Sequence, residues 1–263
     1  QARRQAVSPV GPPAAMALSR GVSSARPRVS SASMATRVFS IAFLKRNPSA
    51  GLLLVQLIGV VLYPLMERTP RGRALFGAFG LLVLGLALWV VRRSPWLTWL
   101  GLLLALPVVV LSVVTAIAPR PGLFVATAAL EAAFYFYAAG SLIAYMLQDW
   151  VVATDELFAA GATFTLLAWA FGYTFVVCQA VVPGSSGSGV DGTSPRSWSQ
   201  LLYLSVMVLS SVGMSDIVPA QPMARALVML ESFAGIMYIA LVVSRLMSLA
   251  AISRRNDRDR SAS

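Results

Sequence analysis

Few side chains in this chain can do covalent chemistry. It has no histidine and a single cysteine, Cys178, so a zinc site, a Ser-His-Asp triad and a histidine-held haem all lack their residues. No internal disulfide can form either. The ten acidic residues are scattered rather than paired, and an enzyme is not expected. What remains is a short polar run at 210–219, Ser-Ser-Val-Gly-Met-Ser-Asp-Ile-Val-Pro, placed between the apolar stretch Gln200–Leu209 and a long apolar segment. Gln200–Leu209 is too short to cross a bilayer, which takes about twenty apolar residues. Irregular backbone at membrane depth is tolerated only where protein buries it or where it lines a water-filled cavity.

The rest of the chain has to build that surrounding. Of its 263 residues 57% are hydrophobic and 12% charged, with a mean hydropathy of +0.75, whereas a soluble domain carries roughly a quarter charged residues. Six apolar runs of spanning length are present, approximately Ala50–Met66, Leu75–Val91, Trp96–Ala118, Leu123–Leu147, Leu157–Val182 and Met223–Ile252. Charged or turn residues separate them, and Tyr63, Trp96, Trp99 and Trp150 stand near run ends, where aromatic rings anchor helices at the interface. The expectation is an all-α membrane protein with six transmembrane helices and a short re-entrant helix between the fifth and the sixth. Its parts are a basic N-terminal segment at 1–46, a four-helix membrane domain at 47–152, a second membrane domain at 153–252 that holds the re-entrant helix, and a basic tail at 253–263.

The formal net charge is +11. Residues 1–46 hold eight basic residues and no acid, the body 47–253 nine basic against eight acidic, and the last ten residues four against two. Basic charge concentrated in the tails suits an anionic cytoplasmic leaflet rather than a nucleic-acid groove, so the bilayer is the expected partner and nucleic acid is not. With both termini inside, nine flanking basic residues lie on the inner side against six outside, which the positive-inside rule favours. Residues 1–36, rich in Ser, Ala, Pro and Arg, read as disordered. They also fit an organellar transit peptide, or upstream sequence ahead of a start at Met16 or Met34. Residues 37–46 read as a short interfacial amphipathic stretch. The membrane expected is the plasma membrane, a bacterial inner membrane, or an organellar one if the start is a transit peptide.

Residues 157–252 resemble the pore module of the potassium-channel superfamily: outer helix, turret loop, pore helix, filter, inner helix. Where that family's filter reads Thr-Thr-Val-Gly-Tyr-Gly-Asp, this chain has Ser210-Ser211-Val212-Gly213-Met214-Ser215-Asp216. Ile217-Val218-Pro219, Ala224-Arg225-Ala226-Leu227 and Leu241-Val242-Val243-Ser244-Arg245-Leu246 are similar to bacterial members with six helices. The resemblance implies a passive cation channel, a homotetramer, with no cofactor beyond the permeant monovalent cation. Potassium would be held by the Ser211 hydroxyl and the carbonyls of Ser211, Val212, Gly213 and Met214, replacing its hydration shell. Two departures fall in the outer half. Met214 replaces the wedging tyrosine with a flexible side chain, and Ser215 replaces a glycine. If Ser215 must take a left-handed conformation, its Cβ costs about 1–2 kcal/mol. Potassium selectivity weaker than the family's usual is therefore expected.

Around this run, Asp216 is expected to form a carboxylate ring outside the filter, accepting a hydrogen bond from Tyr203 on the pore helix, or else to stabilise the turn before Ile217. Glu231 in the last helix reads as a structural hydrogen bond behind the filter or as a gating residue, and Glu131 in the fourth helix is treated alike. Gly235 reads as a gating hinge or as a close-packing residue. Thr154-Asp155-Glu156 reads as a helix start with acids in its first turn, or as a linker transmitting motion to the pore. Leu123–Leu147 contains no Arg or Lys, so voltage gating, which needs an arginine ladder, is not expected. The alternatives to a channel are a non-conducting regulatory membrane subunit and a transporter, and the transporter lacks a second interrupted helix in a matching position.

Overall fold

The computed structural model describes residues 47–66, 70–91, 95–118, 120–148, 154–182, 186–188 and 195–262. The expectations for residues 1–46 lie outside them, as do the side chains of Tyr63, Trp96 and Trp150. Seven helices are present among the described residues: α1 Pro48–Met66, α2 Pro70–Val91, α3 Pro95–Ile117, α4 Pro121–Gln148, α5 Thr154–Val181, α6 Trp198–Leu209 and α7 Pro222–Ala262. Five begin at a proline, whose fixed φ and missing N–H suit the first helical position. The sequence thus marks helix starts where the apolar runs alone leave them vague. Each of the six runs is a helix, and the short stretch expected at Gln200–Leu209 is α6, two residues longer at its start. Among the described residues α4, α5 and α7 hold segments long and apolar enough to cross a bilayer, as a membrane protein requires: Pro121–Leu147, Asp155–Val181 and Pro222–Arg245.

α7 runs unbroken for 41 residues, about 60 Å at 1.5 Å per residue. It continues through the segment expected as a separate tail. Two elements among the described residues are not helical. Strand β1, Ser186–Ser188, pairs antiparallel with strand β2, Ile217–Pro219, with Gly187 opposite Val218. The polar loop before α6 therefore returns to brace the chain just after the run 210–216. Nothing in Ser-Gly-Ser, poor in strand-forming residues, signals that pairing.

The core lies between α4 and α5. Ala128, Ala132, Ala138 and Ala139 on α4 and Ala159, Ala162, Ala168 and Ala170 on α5 are buried, and such small residues let membrane helices approach closely. Between them Tyr135 stacks on Tyr173 with centroids 5.7 Å apart and meets Trp169 edge-on at 5.6 Å. Trp169 in turn meets Trp198, the first residue of α6, edge-on at 5.3 Å. The start of the half-helix is thereby fastened to the hairpin. α1 lies parallel to α5, with Ser49 against Asp155 and the Leu53 side chain against Gly161.

Candidate functional site

Three devices hold α6 along its length. At its start Gln179 of α5 clamps Arg196: its Nε2 donates to the Arg196 carbonyl and its Oε1 accepts from the Arg196 N–H, both at 3.0 Å. Ser197 follows as N-cap in a capping box with Gln200, satisfying two otherwise orphaned donors. Midway, the Ser205 hydroxyl contacts the Ala168 carbonyl oxygen of α5 at 2.9 Å and makes a short hydrogen bond with Glu231 of α7. Ser205 and Glu231 are fully buried. Glu231 is thus tied to a hydroxyl on α6 rather than to backbone.

One turn further, Gly235 lies against the end of α6. A Cβ built there would run into the Leu209 carbonyl oxygen and stand 2.9 Å from its carbon, and only a residue without a side chain fits. Gly235 has a packing duty in this structure, and a bend there would have to open that contact.

α6 ends in a Schellman motif. The Ser211 N–H donates to the Val208 carbonyl at 2.9 Å and the Val212 N–H to the Met207 carbonyl at 3.1 Å, with Ser211 left-handed at φ 61°. This is the pairing that satisfies the last carbonyls of a helix. The position usually belongs to glycine, and serine there costs about 1–2 kcal/mol. The Gly213 N–H also donates to Met207, at 3.1 Å, and Gly213 has φ 68°.

The left-handed residues described are therefore Ser211 and Gly213. Ser215 is not among them, contrary to the expectation of strain there. Its side chain instead accepts from the Ile217 N–H at 3.1 Å, stabilising the turn into β2. Tyr203 also departs from expectation, since its hydroxyl donates to the Met214 carbonyl at 2.8 Å rather than to Asp216. Asp216 is exposed on the bend before β2, and the Arg225 Nε donates to the Pro219 carbonyl at 3.1 Å, securing the far end of the strand. Among the described residues the carbonyls of Ser211 and Val212 accept no hydrogen bond. A groove of about 460 Å³ separates the run from the helices behind it, lined by Leu204 and Val208 of α6 and Val228, Ser232 and Ile236 of α7.

The site is thus a short helix pointing its carbonyl end at a chain reversal with two left-handed residues, two uncommitted carbonyls and the exposed Ser211, inserted between two long apolar helices. Residues 132–251 match the family model described as "Ion channel". This segment is similar to an ion-channel domain. The match supports the resemblance to the potassium-channel superfamily. It begins at Ala132 inside α4, so the matched segment takes in part of that helix with α5, α6 and α7. No curated protein and no solved structure gives a significant match.

Composition does not point to the parts that hold this segment: the Gln179 clamp, the Trp198 anchor, Ser205 as partner of Glu231, and the Schellman turn at Ser211. A signal for two of them was present. Gln179 and Ser205 are polar residues inside otherwise apolar helices, where an unpartnered polar group is costly.

Proposed function

We propose that four copies of this chain surround a central pore and pass monovalent cations passively, with a weakened preference for potassium. The observation that carries this reading is the α6 turn itself. Met207 and Val208 receive the N–H groups of residues 211–213, so the uncommitted carbonyls of Ser211 and Val212 come directly after the carbonyl end of a half-helix. That end carries partial negative charge, which favours cations. One chain supplies one such run, and replacing a hydration shell takes a ring of them.

Val212 and Met214 are 55% and 72% exposed in the single chain, so neighbouring copies have apolar surface to cover. Asp216, exposed at the outer mouth, adds cation attraction. The six helices α1–α5 and α7 would cross the bilayer, with α6 re-entrant and both termini cytoplasmic. The arginine-free α4 leaves little charge to move in the field. One observation favours the non-conducting alternative: the Met214 carbonyl is engaged by Tyr203 and is withdrawn from any ion in this arrangement. The Gly213 carbonyl is engaged as well, by the Ser215 N–H at 3.1 Å; weak selectivity follows if only these two outer ligands are lost, and no conduction if the carbonyls of Ser211 and Val212 also turn away.

The test is purified protein in planar bilayers with potassium and sodium on opposite sides, with native mass spectrometry alongside. A tetramer with cation current and a modest bi-ionic reversal potential is expected. A stable monomer or dimer, or a silent tetramer, would refute the pore.

A further inference from the structure

At the end of the channel domain away from the filter, two consecutive acids reach two different helices. Asp155 and Glu156 sit in the first turn of α5 and are 3% and 7% exposed. The Asp155 carboxylate accepts from the Ser49 N–H at 3.0 Å and from the Ser49 hydroxyl at 3.1 Å, engaging orphan donors at the start of α1. The Glu156 Oε1 faces the Arg245 Nη2 of α7 at 3.7 Å. Nearer the filter, the Tyr238 hydroxyl of α7 donates to the Ala160 carbonyl of α5.

Arg245 closes the apolar span of α7 and lies about 21 Å along the helix from Glu231 at 1.5 Å per residue. A buried ion pair loses much of its attraction to desolvation. Stability is therefore a poor account of the arrangement, whereas position is a good one. The first turn of α5 is a junction through which α1 and the last apolar turn of α7 are held in register.

We propose that Glu156 and Arg245 are positioning residues for a gate: their pair ties the pore-lining helix to the outer helix and, through Asp155 and Ser49, to the first helix, so that displacing α1 moves the inner end of the pore. This rests on the pore reading above. Four α7 helices shut a central pore by converging on its axis, and a tie to the peripheral α5 opposes convergence. Removing it favours the shut state.

The test uses the full-length chain in planar bilayers with symmetric potassium, comparing wild type, Glu156→Gln, Arg245→Gln, Asp155→Asn, and the exchange Glu156→Arg with Arg245→Glu. Each Gln variant should lower the open-to-shut ratio by about 5- to 100-fold, the usual span of an allosteric coupling. Asp155→Asn should move it the same way by less, and the exchange should recover it. The bi-ionic reversal potential should stay fixed throughout, because the filter is remote. An unchanged or raised open-to-shut ratio in the Gln variants overturns the tie. So does an assembled exchange variant that fails to recover, or a reversal potential that shifts together with gating. Gln variants that no longer assemble would assign the pair to folding and overturn it equally. A wild type that passes no current refutes the pore reading itself and the tie with it, whereas normal current with indifferent gating refutes the tie alone.

Discussion

From Ser210 to Gly213 the run between α6 and β2 is shaped by its own backbone. Three N–H groups fold back on Val208 and Met207, and positive φ angles at 211 and 213 make the reversal. From Met214 to Ile217 one backbone bond remains, from the Ser215 N–H to the Gly213 carbonyl, and side chains add the rest: the Tyr203 hydroxyl on the Met214 carbonyl and the Ser215 hydroxyl on the Ile217 N–H. A stretch held by backbone tolerates changes of side chain so long as φ is respected, while one held by two hydroxyls is tuned by single substitutions. The inner part should therefore fix whether ions are coordinated at all, and the outer part how well they are told apart.

The largest effect expected is at the floor beneath the backbone-shaped end. Gly235→Ala drives a Cβ into the Leu209 carbonyl, and because the obstacle is backbone, the change should cost about 3 kcal/mol, the upper range for overpacking. Thermal unfolding of the detergent-solubilised protein should show it, with loss of assembled material. A wild-type melting temperature would mean that α7 bends freely here, and the hinge reading of Gly235 would gain the ground that packing lost.

Next comes Gly213→Ala. A Cβ at this position meets open space in the single chain, but φ is 68°, so the penalty is conformational, about 1–2 kcal/mol. Assembly should survive while cation current falls, read as single-channel conductance in bilayers. Full conductance would show that the left-handed turn is dispensable and remove the contrast between the two ends.

Tyr203→Phe acts on the outer end alone. It deletes one hydrogen bond, worth about 1 kcal/mol, and frees the Met214 carbonyl. The expected outcome is a retained current with a shifted bi-ionic reversal potential. A silent channel would place Tyr203 in the scaffold of the whole run.

The legibility of the sequence divides along the same line. The apolar runs and their proline starts mark the helices, because burial in lipid demands long apolar stretches and proline suits first turns. Val212-Gly213 between a half-helix and a long helix marks the site, since glycine is the residue for positive φ. The second left-handed residue was not legible. Ser211 owes its conformation to the Schellman bonds with Met207 and Val208, and serine has no preference that announces it. The partner of Tyr203 depends on how the run bends in three dimensions, and the β1–β2 ladder pairs Gly187 with Val218, far apart in the chain, with no pattern of alternation to signal it.

The smallest effects expected are also the most discriminating, because two serine-to-glycine changes four residues apart should differ in sign. Ser211→Gly relieves a left-handed serine at a helix terminus where glycine is preferred, and should stabilise the protein by about 1 kcal/mol, though with the loss of a hydroxyl at the candidate ion site. Ser215→Gly relieves nothing, because φ at 215 is not positive. It removes the hydroxyl that accepts from Ile217 and loosens the unfolded chain, so a destabilisation of about 1 kcal/mol is expected. Had glycine been wanted at 215 for its handedness, as alignment with Thr-Val-Gly-Tyr-Gly suggests, Ser215→Gly would stabilise instead. Thermal midpoints of the two variants, measured in one detergent at one protein concentration, decide between these. Opposite shifts support a run whose handedness is set at 211 and 213, and a gain in both would return the second left-handed position to 215.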